Sequence, residues 1–81
     1  MENKIIMAHQ YSSHHRKTME FSNLCGCFFC TEIYHPSAIE EWIDNGQTAL
    51  CPKCGIDAVI AESVEFPISE EFLIKMKEYW F

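Results

Sequence analysis

Cys27-Phe28-Phe29-Cys30 and Cys51-Pro52-Lys53-Cys54 form two C-x2-C pairs in a chain of 81 residues, with residues 31–50 between them. This is the spacing of one tetrahedral metal site. Each short turn aims two sulfurs at a single ion, and neighbouring backbone amides donate to those sulfurs. The metal expected is zinc, one per chain, on Cys27, Cys30, Cys51 and Cys54; iron suits the same four thiolates and is the less favoured ion. Four thiolates complete a tetrahedron, so no coordination position remains for water or substrate, and the expected role is structural.

Two disulfides are the competing use of four cysteines, as in small secreted domains. A fifth residue, Cys25, leaves one thiol over, which suits a four-ligand site plus a spare better than a closed disulfide framework. The stretch from Met1 to His9 holds one basic residue and too short an apolar run for a secretory leader, and no segment is long enough to span a bilayer. A cytoplasmic location and no membrane association are therefore expected.

No catalytic residues are assigned. His9, His14, His15 and His35 are the candidates for a general base or a further ligand, but four cysteines already satisfy a metal. His35 precedes Pro36, where a histidine most often packs or bonds backbone. His14 and His15 are adjacent and cannot face the same way in a regular strand. The sequence offers no paired nucleophile and base and no phosphate-cradling glycine loop, so the chain is not expected to be an enzyme.

The elements that must position the cysteines read as α+β. The sequence predicts strand, knuckle and strand from Leu24 to Tyr34, and again from Thr48-Ala49-Leu50 through Cys51-Pro52-Lys53-Cys54-Gly55 to Ile56–Ile60. Gly55 supplies the permissive backbone a knuckle needs after its second ligand. Between the knuckles, Ser37 with Glu40 reads as a capping box. Ile39, Trp42 and Ile43 follow at helical spacing and Asn45-Gly46 as a stop, so a helix is expected there. After Pro67, a Ser69 cap, Glu70 and Glu71 in the first turn, and Phe72, Leu73, Met76, Tyr79 and Trp80 predict an amphipathic C-terminal helix over residues 69–80. Residues 1–22 are an N-terminal extension without a firm assignment. Ile5, Ile6 and His9 suit a helix or a strand, and Arg16 to Phe21 suits a helical turn with Met19 and Phe21 turned inward. The organisation expected is one domain over residues 1–81, with a two-knuckle core over 24–60.

A core this small supplies only roughly 3–5 kcal/mol without a staple, and structural zinc contributes on the order of 10 kcal/mol, so folding and metal loading should be coupled. Twelve acidic and six basic residues give a formal charge of −6. That balance disfavours nucleic acid, which is held through its phosphates. The run His14-His15-Arg16-Lys17 is too small a basic footprint to reverse it and reads as a solvated turn. Trp42, Tyr79, Trp80 and Phe81 exceed what so short a chain can cover, so a protein partner or a second copy is expected on an aromatic or acidic surface.

The knuckle Cys51-Pro52-Lys53-Cys54-Gly55 resembles that of rubredoxins, in which four cysteines hold one iron and pass single electrons. The first knuckle departs from them, with Thr31 where they carry glycine. Histidine nucleases of the HNH type also carry two C-x2-C pairs. They place an acidic residue beside the catalytic histidine and a later ligand on a helix, whereas here Tyr34 precedes His35 and residues 55–59 read as strand. The segment from Cys25-Gly26-Cys27 to Ile60 also resembles small bacterial and phage cytoplasmic proteins of this cysteine-rich arrangement. That likeness implies a zinc-ribbon-like domain and no particular activity.

Overall fold

The computed structural model describes residues 2–63 and 67–81. Met1, which opens the leader-like stretch weighed above, lies outside the described residues. Among the described residues the architecture is α+β, with three helices and two small antiparallel sheets. In chain order these are α1 (Glu2–His9), α2 (Arg16–Glu20), β1 (Cys25–Cys27), β2 (Ile33–Tyr34), a 3-10 turn (Pro36–Ala38), β3 (Trp42–Ile43), β4 (Thr48–Ala49), β5 (Val59–Ala61) and α3 (Glu70–Trp80).

β1 is the middle strand of the sheet β2-β1-β5 and is buried throughout. Its register places Cys25 opposite Tyr34 and Ala61, Gly26 opposite Ile33 and Ile60, and Cys27 opposite Val59. Side chains alternate across a sheet, so Cys25, Cys27 and Tyr34 share one face while Gly26 turns to the other. That second face receives α3. A Cβ on Gly26 would lie 2.7 Å from Leu73 Cδ1 and 3.2 Å from Ile68 Cγ2, so the helix rests where a side chain is missing. The helix begins as the sequence predicts, with Ser69 Oγ accepting from Phe72 N–H at 3.1 Å. It buries Phe72, Leu73 and Met76.

The helix expected between the knuckles is not formed. The backbone makes only the short turn Pro36–Ala38, extends at Ile39 and enters the hairpin β3-β4, with Trp42 opposite Ala49 and Ile43 opposite Thr48. The hairpin turn runs through Asp44, Asn45 and Gly46 at φ of 55°, 60° and 83°. Three successive residues tolerant of the left-handed region favour a tight reversal between β-favouring flanks, and the candidate helix is too short to stand without strong packing. Asn45-Gly46 is thus a hairpin turn, and Ser37 does not cap an α-helix.

The N-terminal segment is helical and clamps this hairpin. The backbone N–H groups of His15 and Arg16 donate to Gln47 O at 2.8 and 3.1 Å, and that of His14 donates to Thr48 Oγ1 at 2.9 Å. Arg16 lies over the Trp42 ring, 4.3 Å from its centroid, and donates to Gly46 O at 3.1 Å. The basic run is therefore partly committed to tertiary structure, which the solvated-turn reading did not anticipate. Met19 is buried as expected, but Phe21 is 82% exposed, because the chain leaves α2 before its side chain can turn inward.

His15 is the centre of the clamp. Its ring is buried, Nε2 accepts the Ala49 N–H at 3.0 Å, and Nδ1 therefore carries the proton and donates to Tyr11 O at 2.6 Å. Burial lowers its pKa, opposed by the Tyr11 carbonyl and assisted by His14. The unfolded ring titrates near 6.5, so the stabilisation is complete above about pH 6.5 and fades as pH falls through the lower folded value. His15→Ala with metal saturating at neutral pH should lose about 2–3 kcal/mol in denaturant unfolding, because Ala49 N–H is orphaned and a cavity opens. Imidazole nitrogen shifts should report the proton on Nδ1; a proton on Nε2 would contradict the clamp.

Candidate metal centre

Two elements deliver each knuckle. β1 carries Cys27 to its end, and the return through Cys30 leads to β2; β4 leads into Cys51, and the return through Cys54 leads to β5. The two turns close in the same way. Thr31 N–H donates to Cys27 O at 2.8 Å and Gly55 N–H to Cys51 O at 2.8 Å, with φ of 63° at Thr31 and 80° at Gly55. The missing glycine of the first knuckle is thus replaced in conformation, though not in ease. A β-branched residue in the left-handed region is strained, and Thr31 partly offsets this by donating through Oγ1 to Cys30 O at 2.6 Å.

The four cysteines read from the sequence come together. Their sulfurs all lie within 4.8 Å of one another. Across the knuckles, the Cys27 and Cys54 sulfurs lie 3.7 Å apart and those of Cys30 and Cys51 3.6 Å apart. An ion about 2.3 Å from each sulfur at the centre of a tetrahedron requires edges of about 3.8 Å, which these two cross-knuckle edges match. The size and donor set suit zinc and iron alike. All five cysteines are free thiols, and Cys25 stands outside the cluster with its Sγ donating to Tyr34 O at 3.3 Å.

Cys27 and Cys51 are buried, whereas Cys30 and Cys54 are half-buried, so one edge of the cluster faces the core and the other approaches solvent. Phe29 N–H points at Cys27 Sγ at 3.3 Å and Lys53 N–H at Cys51 Sγ at 3.4 Å, the amide donors expected of such turns. Burial raises the Cys27 thiol, the N–H groups of Cys30 and Phe29 pull it back, and the neighbouring Cys51 adds to the rise. At Cys51 burial also opposes ionisation, but the Tyr34 hydroxyl and the N–H groups of Lys53 and Cys54 outweigh it and bring the thiol down to about 7. Burial pushes Cys25, which lacks such donors, up to about 12. The cluster therefore holds one sulfur ready to ionise at neutral pH, and the spare thiol stays protonated.

Sequence reasoning missed Tyr34. Its hydroxyl is buried beside the Cys51 sulfur, close enough to favour that thiolate but outside hydrogen-bond geometry. The signal lay in strand alternation: with β1 and β2 paired across a short knuckle, Tyr34 had to share a face with the cysteines.

The histidines stand apart from the cluster. His35 Nδ1 accepts from Ser37 N–H at 3.0 Å and lies 2.9 Å from Ser37 Oγ. The ring caps the 3-10 turn, so the lone pair a general base would use is already engaged. His9 stacks on Trp80 with centroids 4.0 Å apart. Comparison with protein-family models, with characterised proteins and with solved structures finds no match to this chain.

Replacing Thr31 with glycine should relieve the left-handed strain and raise stability by about 1 kcal/mol, net of the greater freedom of glycine in the unfolded chain. Denaturant unfolding at saturating metal checks this. A loss of stability, or a change in metal count, would show that the Thr31 side chain is needed and the strain is not.

Proposed function

We propose that this chain is a zinc-ribbon-like module in which one zinc ion on Cys27, Cys30, Cys51 and Cys54 holds the fold, and that its task is to bind a protein partner. The observation that carries the metal role is the convergence of four sulfurs at tetrahedral spacing, which leaves no coordination position for substrate. The β1-β2 hairpin across the first knuckle supports the ribbon description, the strands flanking the second knuckle pairing elsewhere, β4 with β3 and β5 with β1, and contacts of α1 with α3 and of α2 with β5 support one domain over residues 1–81. The segment after Cys54 runs into β5, where the histidine nucleases carry a helix, which supports a non-enzymatic role.

The partner reading rests on the surface beside the first knuckle. Phe81 packs edge-on against Phe29 at 4.9 Å and near Phe28 at 5.8 Å, and Trp80 meets Tyr79 at 4.9 Å. Tyr79, Trp80 and Phe81 nevertheless remain 46%, 37% and 63% exposed. Contiguous aromatic surface of this kind is where binding energy concentrates. With a formal charge of −6, made two units more negative by a zinc tetrathiolate, the favoured partner is a basic protein surface.

One observation favours a second reading. Thr31 gives the first knuckle the geometry of the second, so the departure from rubredoxins at that position does not distort the cradle, and an iron-bound one-electron carrier remains the alternative. The metal bound in the cell separates the two.

A photoreactive residue in place of Tyr79 should capture a basic protein in cells. In vitro, Phe81→Ala should weaken that complex at least tenfold while metal content stays the same, and rising salt should weaken it further. Capture of a second copy of the chain alone, or a complex indifferent to both Phe81 and salt, would contradict the reading.

A further inference from the structure

Tyr34 stands directly opposite Cys25 in the β1-β2 ladder, and Cys27 is the next residue of β1 on the same face. This fixes the phenol on the metal side of the sheet, opposite the face covered by α3. Its hydroxyl is buried and has no partner among the described residues. An unpaired buried hydroxyl is costly, and one that persists calls for an acceptor supplied by something the protein binds or by a change in a neighbouring group. The ladder sets it beside Cys25 and Cys27, and the sulfur of Cys51, on which the phenol acts most strongly, belongs to the same cluster as Cys27. A neutral thiol is a weak acceptor, whereas a metal-bound thiolate is a strong one.

We infer that in the metal-loaded protein the Tyr34 hydroxyl donates a hydrogen bond to the sulfur of Cys51, so that metal binding satisfies the orphaned group and Tyr34 acts as a positioning residue of the centre. The inference rests on the metal-binding reading above and adds to it a residue outside both C-x2-C motifs. Cys51 then receives two donors, Lys53 N–H at 3.4 Å and the phenol. Two donors on one sulfur lower its share of the tetrathiolate charge, so less electron density is left for attack by electrophiles and for release by protonation. The remaining exposure of the centre lies with half-buried Cys30 and Cys54. The four ligands fall into a shielded pair on the core side and a reactive pair on the solvent side.

Tyr34→Phe keeps the ring and removes only the hydroxyl. It should bind zinc about 10- to 100-fold more weakly in competition with a chelator of known affinity. In the cobalt-loaded form, its sulfur-to-metal charge-transfer band should move to lower energy than in the wild type, since an undonated thiolate gives up electron density more readily. In wild-type protein loaded with cadmium-113, the hydroxyl proton should exchange slowly and show coupling to the metal through the hydrogen bond, a readout that needs no variant to fold. Equal zinc affinity and an unshifted cobalt band in a fully loaded Tyr34→Phe protein would overturn the inference and leave the metal centre standing. Failure of the wild type to form a tetrahedral cobalt-thiolate spectrum would overturn the centre, and the inference with it.

Discussion

Four sulfurs within 4.8 Å of one another impose the central constraint on this protein. As thiolates they repel, by roughly 4 kcal/mol for each pair at the effective dielectric of a protein surface, and only protons or a cation make the cluster tolerable. A dication would remove the repulsion and bind both knuckles at once. The rest of the structure follows from holding those sulfurs in place: β1 brings Cys27 in along the middle of a sheet, β4 brings Cys51 from a separate hairpin, and backbone amides offset the charge. A chain with so small an apolar core would gain from one ion what it cannot gain from burial alone.

The sheet β2-β1-β5 divides the work between its faces. One presents Cys25, Cys27 and Tyr34 to the centre; the other, through Gly26, lets Leu73 of α3 rest against the backbone. The second hairpin is not hydrogen-bonded into this sheet. It is held by the N-terminal segment, through His15 on Ala49, Arg16 on Trp42 and Gly46, and the amides of His14, His15 and Arg16 on the hairpin's polar groups. Residues that look like surplus polar chain in the sequence thus fix the element that delivers Cys51 and Cys54. Acid acts on both supports in the same direction, since it protonates thiolates and charges a buried imidazole.

How much of this was legible in the sequence depended on how local its cause was. The knuckles, the Gly55 turn and the Ser69 cap were readable because each is set by a few adjacent residues with a stereochemical need. The inter-knuckle segment was misread because Ser37, Glu40, Ile39 and Trp42 satisfy a helical pattern. What decides the outcome there is the left-handed run Asp44-Asn45-Gly46 together with a clamp from residues about 30 positions away. Helical spacing in so short a window is weak against such contacts. Thr31 was unreadable for a different reason: nothing in its type announces a positive φ, and only the demand of the first knuckle imposes it. His15 acts through long-range pairing, which composition and spacing do not contain, whereas Tyr34 was legible only through the alternation of strands either side of the first knuckle.

The fold is proposed to depend on one metal ion held by Cys27, Cys30, Cys51 and Cys54. Native mass spectrometry before and after chelation, with amide exchange measured on the same samples, tests that most directly. One zinc per chain is predicted. Its removal should bring loss of exchange protection across β1, β4 and β5, restored when zinc is returned. A chain that keeps its protection with the metal removed, or that holds these cysteines as disulfides when isolated without reductant, would contradict the claim.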